Sequence, residues 1–322
     1  MKTSAFARRL SLSWVLLSAA GTAALATPAA PATPAAVPVA TAGADNPALH
    51  PTFAVRVVGN GQPMLLIPGL TCPGAVWDAA VAHYQQRYQC HIISLAGFGG
   101  LAPGASPVAD PLLPAVRDQL LAYIKAHKLS RPVVVGHSLG GFLALALSIA
   151  QPEAMGPLVI LDSLPFLAAV QNAATTVEAA RPMADNMRQQ MKQGRMPAAA
   201  QRQMVAGMVT DTARQTLLAR WGQASDPATT AQAMYDLYTT DLRADLGRIQ
   251  QPALVLGAWA AYKAYGSTKE STRAIFVQQY AKLPQVRIEL SEAGRHFLMY
   301  DDTAWFLAQT DAFLKQPAVA KK

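Results

Sequence analysis

Short runs of consecutive apolar residues recur along this chain, separated by stretches whose apolar positions fall three and four apart. The runs at 53–58, 64–67, 90–95, 133–135, 158–161, 253–256 and 286–290 read as strands. Most are apolar at consecutive rather than alternating positions, as in strands covered on both faces of a parallel sheet. Helical spacing predicts helices over 76–87, 112–128, 139–150, 271–283 and 302–314; the second carries Leu112, Val116, Leu120, Tyr123 and Ile124 on one stripe. Strands alternating with helices imply a mostly parallel sheet with helices on both faces, joined by right-handed crossovers. The alternation breaks over 165–247, which is Ala- and Gln-rich, helical, and without a strand run. The pattern therefore predicts an α/β core over 51–164 and 248–322 with a helical insertion between. Met183, Met187 and Met191 repeat every four residues in that insertion, so most of its methionines are expected in its core, with some lining a pliable pocket.

One junction carries candidate chemistry. Val133-Val134-Val135 leads through Gly136-His137-Ser138-Leu139-Gly140-Gly141 into an apolar helix. A Gly-x-Ser-x-Gly alone is a weak signal. Between a β-branched run and a helix it predicts a turn of about two residues that strains Ser138 and holds its hydroxyl above the sheet edge. A Cβ at Gly136 or Gly140 would collide with the neighbouring strand or helix. The N–H of Leu139 then faces the place where an oxyanion would form.

A serine nucleophile needs a base. His50 falls in the linker, His83 and His127 on amphipathic helices, and His91 inside a strand; His137 belongs to the turn and is expected to pack beside the serine. His296 alone sits in a loop after a late strand, at the sheet edge that carries Ser138, so it is the candidate base. A second oxyanion donor is expected from the turn after the 64–67 strand, where Gly69 permits close approach. Leu70 is the first choice and Thr71 the second.

These segments resemble the α/β-hydrolase superfamily over roughly 53–315. The likeness rests on Leu66–Gly69 followed by Trp77, on Leu95-Ala96-Gly97-Phe98-Gly99, on the elbow at 136–140, and on Arg295-His296-Phe297 before Asp301-Asp302. It implies a serine hydrolase acting on an ester-type bond of a small molecule, with the insertion as its cap. The chain departs from the family pattern in three places. Pro68-Gly69 stands where His-Gly is usual, and Leu95-Ala96 where the strand-end loop usually opens with Asp. The window 258–262 holds no carboxylate where the triad acid usually falls; the next is Glu270. Asp162 ends another strand at the same edge, and some members of the superfamily take their acid there. Asp162 is therefore the candidate acid, with Glu270 or a Ser–His dyad as the alternatives.

Composition alters this picture only at the margins. Lys2, Arg8 and Arg9 precede an apolar stretch that ends in Ala24-Leu25-Ala26, so residues 1–26 read as a signal peptide and 27–50 as an Ala/Pro-rich flexible linker. Export to the periplasm or beyond follows, with no stable membrane insertion after cleavage. Net charge falls from +8 to +5 when the three leader cations are removed, and no basic run marks a nucleic-acid surface. Cys72 and Cys90 belong at opposite strand ends, roughly 17 Å or more apart, too far for a disulfide. No metal spacing and no cofactor motif stands out. Two other readings stay open: a non-catalytic binding protein on the same fold, for which the empty window at 258–262 speaks, and acyl transfer to an acceptor other than water. Oligomeric state is not legible.

Overall fold

A computed structural model describes residues 50–104 and 108–315. The predicted signal peptide and nearly all of the predicted linker lie outside the described residues. Among the described residues, seven strands form one sheet: β1 (Phe53–Val58), β2 (Gln62–Ile67), β3 (Tyr88–Leu95), β4 (Val133–His137), β5 (Leu158–Leu161), β6 (Ala253–Ala258) and β7 (Val286–Ser291). Their order is β1-β3-β2-β4-β5-β6-β7. All neighbours pair parallel except β1, which runs antiparallel to β3 with Phe53 opposite Leu95.

Burial follows position in the sheet. β4 and β5 are buried at every residue, which is what their unbroken Val, Ile and Leu runs require. β1 alternates at its start and is half-exposed beyond, as an edge strand can be. Gly59–Gly61 separates β1 from β2 without pairing them. β3 inserts between the two, so this turn is a crossover and not a hairpin.

The helices are α1 (Asp78–Tyr84), α2 (Leu112–Ala126), α3 (Leu139–Ala150), α4 (Val177–Lys192), α5 (Ala198–Met208), α6 (Thr212–Ala224), α7 (Pro227–Thr239), α8 (Lys269–Gln279), α9 (Leu298–Asp301) and α10 (Thr303–Leu314). Two apolar clusters lie on the two faces of the sheet. One joins Leu65, Ile67 and Val134 to α2 and α3; the other joins Leu66, Val135 and Leu256 to Trp77, Tyr84 and Phe306. Successive residues of β2 and β4 feed opposite clusters, the period of two expected of a strand.

Helices α4–α7 all fall between β5 and β6. The Met stripe of α4 does not form its core. Met183 is 55 % exposed, Met187 and Met191 are half-buried, and the residues that α4 buries are Ala180 and Ala184. Small side chains let α4 lie close against α7, and this turns the Met stripe partly outward. Met204 on α5 is likewise exposed.

His50 also departs from its expected place. It is buried, and its ring stacks on Phe53 at 4.8 Å and meets the Tyr123 edge at 4.9 Å, so the folded core begins one residue inside the predicted linker. Cys72 and Cys90 are buried and free. Cys90 is the third residue of β3, opposite Met64, whereas Cys72 lies beyond the far end of β2.

Candidate active site

The turn between β4 and α3 is strained at one residue. Ser138 has φ 52° and ψ −117°, a conformation that side chains with a Cβ rarely adopt. What surrounds it leaves no choice. A Cβ on Gly136 would stand 2.2 Å from the Gly140 carbonyl oxygen, and a Cβ on Gly140 would stand 2.1 Å from that of Ile67. The two glycines let β4, α3 and the end of β2 approach closely, and Ser138 absorbs the strain. Its N–H donates to the Leu161 carbonyl at 2.9 Å, which ties the elbow to the end of β5.

Asp162 follows directly on that strand and also has positive φ, 43°. Its N–H donates to the Leu256 carbonyl at 2.7 Å, and its Oδ1 accepts the Ala258 N–H at 2.9 Å. Two bonds to the end of β6 fix the carboxylate, which is 6 % exposed. Its Oδ2 stands 2.7 Å from Nδ1 of His296. An ionised carboxylate can only accept, so Nδ1 carries the proton and Nε2 has its lone pair free. Glu270, the other candidate acid, lies exposed in the first turn of α8, where local hydrogen bonds to the helix start lower its pKa.

His137 has a larger part than its sequence context suggested. Its Nε2 donates to the His296 carbonyl at 3.0 Å, and its ring lies 4.5 Å from the His296 ring and 4.8 Å from that of Phe297. Burial, with His296 as a neighbour, holds its pKa well below the usual value, so it stays neutral. Nε2 is then its one N–H, and Nδ1 is buried without a hydrogen-bond partner. Gly69 faces it: a Cβ there would stand 2.7 Å from Nδ1 and 3.3 Å from the Ser138 Cβ. The Gly69-Leu70-Thr71 turn, with Thr71 at φ 61°, thus reaches the serine itself. Leu139 opens α3, so its N–H has no intrahelical acceptor.

The structure thus brings Ser138, His296, Asp162 and the Leu70 and Leu139 turns to one sheet edge, and among the described residues the carboxylate bonded to His296 is that of Asp162, not Glu270. Among the described residues no hydrogen bond links Ser138 Oγ to His296. Such bonds are often long without substrate and tighten when it binds.

The insertion stands over the same edge. Gly97 accepts from the Asp226 N–H at 2.7 Å, Gly99 donates to Ser225 Oγ at 3.0 Å, and Met208 accepts from the Phe297 N–H at 3.2 Å. Among the described residues no His, Cys, Asp and Glu cluster could hold a metal ion.

The alpha/beta hydrolase family profile matches residues 64–309. The chain belongs to this family. A pimeloyl-[acyl-carrier protein] methyl ester esterase of Nitrosomonas europaea is 26 % identical over 216 residues, 63 % of this chain and 78 % of that protein. The protein of the same name from Aeromonas hydrophila is 31 % identical over 119 residues, 35 % of this chain and 42 % of its own length. An enol-lactonase from Burkholderia xenovorans superposes with a TM-score of 0.66 at 17 % identity, over 84 % of this chain and 99 % of that one, a likeness of fold.

Proposed function

We propose that this α/β-hydrolase is an exported serine esterase that cleaves a small carboxylic ester through an acyl-enzyme on Ser138. One observation carries the reading: a strained serine elbow and a histidine held 2.7 Å from a carboxylate share one sheet edge. Ser138 Oγ attacks the ester carbonyl while His296 Nε2 takes its proton. Asp162 stabilises the imidazolium that forms. The Leu70 and Leu139 N–H groups receive the oxyanion. The tetrahedral adduct collapses, His296 protonates the departing alkoxide, and the acyl group stays on Ser138. Water, deprotonated by His296, then attacks the acyl-enzyme and releases the acid.

The names of the relatives support an ester as the bond cleaved, with a small alcohol half. Helices α4–α7 act in this reading as a cap over the site, as their bonds to Gly97, Gly99 and Phe297 favour. The basic, then apolar, leader ending at Ala26 supports export. A non-catalytic binding role drew its support from the empty 258–262 window, and a carboxylate beside His296 removes that support. Transfer to an acceptor other than water would use the same residues.

The test is turnover of p-nitrophenyl esters of graded acyl length by the wild type and by Ser138→Ala. The reading requires turnover that the folded alanine variant loses. Equal rates would contradict it.

A further inference from the structure

The loop bearing His296 is held from two sides, by the sheet and by the helical insertion. On the sheet side the His296 carbonyl accepts from His137 in the elbow. On the other side the residues flanking His296 are held by the helical insertion. Nη1 of Arg295 donates to the Ala206 carbonyl at 2.5 Å, and the Phe297 N–H donates to that of Met208. Asp301 joins the two chains. Its Oδ1 accepts both the Thr210 N–H, at 2.9 Å, and the Thr210 hydroxyl, at 2.7 Å. Its Oδ2 accepts the Arg295 N–H at 3.1 Å. Asp301 thus ties the α5–α6 turn to the residue immediately before His296.

Asp301 closes the single turn of α9, one residue before Asp302, which caps α10. The three donors that converge on it come from across the insertion and from the His296 loop, and those contacts account for a carboxylate here.

We propose that Asp301 is a positioning residue: it transmits the placement of the α5–α6 turn to the His296 loop, so that the insertion as well as the sheet sets where the imidazole stands. The proposal rests on His296 being the general base. A catalytic group must stand within about 0.5 Å of its productive place, and a displacement of ~1 Å can cost about 10²-fold in rate. A loop freed on its insertion side loses turnover while substrate binding changes little.

The experiment compares wild type, Asp301→Ala, Thr210→Val, the double variant and His296→Ala, all confirmed folded by circular dichroism. Turnover of p-nitrophenyl butyrate and the rate of fluorophosphonate labelling are measured for each. Asp301→Ala is expected to lower kcat about tenfold or more with KM nearly unchanged, in keeping with a misplaced base. Thr210 is exposed, so its valine variant should fold whatever happens to Asp301→Ala. It is expected to lower kcat and labelling severalfold on its own, and to add nothing in the Asp301→Ala background. Wild-type kcat in folded Thr210→Val, or losses that multiply in the double variant, would overturn the clamp. If His296→Ala keeps its turnover, the base assignment itself falls. Unchanged clamp variants beside an inactive His296→Ala would overturn the clamp alone.

Discussion

Replacing Asp162 by Asn changes one atom and reverses the imidazole. Asp162 Oδ1 accepts from Ala258 and Oδ2 from His296 Nδ1. The asparagine has one oxygen for these two acceptor positions. Kept on the Ala258 N–H, that oxygen leaves the amide NH2 facing Nδ1, which must then accept. The proton moves to Nε2, and the nitrogen that should take the serine proton no longer has a lone pair. If the proposed triad holds, Asp162→Asn is expected to lose about 10⁴-fold in turnover, or ~5.4 kcal/mol of transition-state stabilisation. The fold should survive, because the Ala258 bond is retained and a buried negative charge is removed. Asp162→Leu would also strand the Ala258 N–H, at about 1–3 kcal/mol of stability. The assay is kcat on p-nitrophenyl butyrate, with circular dichroism to confirm folding and Glu270→Gln as the control. A folded Asp162→Asn within tenfold of the wild type would mean that Asp162 does not orient His296, as would a comparable loss in Glu270→Gln.

The depressed pKa of buried His137 ties stability to acid pH. The unfolded chain takes up a proton below about pH 6.5 that the folded state refuses, so stability present above that pH falls as pH drops, by about 1.4 kcal/mol per unit. Urea unfolding between pH 7.5 and 5 should show a slope that is shallower in His137→Gln; equal slopes would contradict this. Gly136→Ala drives a Cβ to 2.2 Å from a backbone carbonyl that cannot rotate away, and should cost about 1–3 kcal/mol or more. Gly207→Ala in α5 meets nothing within 4 Å and should stabilise by about 0.4–1 kcal/mol; the same denaturant titrations measure both. Burial pushes the Cys72 thiol up to about 12 and that of Cys90 to about 11, so both should resist alkylation in the folded protein. Both should react in denaturant without reductant, and intact mass would show two adducts. A mass unchanged by alkylation in denaturant would mean a disulfide.

The parts of this molecule that were legible in its sequence are those set by local chemistry. β4, Ser138 and α3 could be read because glycine at 136 and 140 has a steric reason within five residues. The pairing of Asp162 with His296 could be anticipated because few carboxylates end a strand, and β5 lies beside both β4 and β6. The long-range arrangement was less visible. β3 comes between β1 and β2 although only Gly59–Gly61 separates them in the chain, and pairing of that kind leaves no mark on the turn. The Met183–Met191 stripe has helical spacing, but that spacing does not say which face is buried. Ala180 and Ala184 take the buried face because they permit close approach to α7. The bond from His137 to the His296 carbonyl was missed for the same reason. The sequence places His137 beside Ser138, but a contact 159 residues away has no local signature. Asp301 was noted only as part of the family likeness, and its partners Thr210 and Arg295 come from segments far apart in the chain.

In the proposed reaction Ser138 forms a covalent bond with the acyl group of an ester. A fluorophosphonate reports this directly, because it reacts with a serine only when base and oxyanion donors are assembled around it. Intact mass spectrometry followed by peptide mapping should find one adduct per chain, on Ser138, lost in Ser138→Ala and strongly slowed in His296→Ala. An unmodified chain after prolonged exposure, or an adduct on any other residue, would rule out Ser138 as the nucleophile.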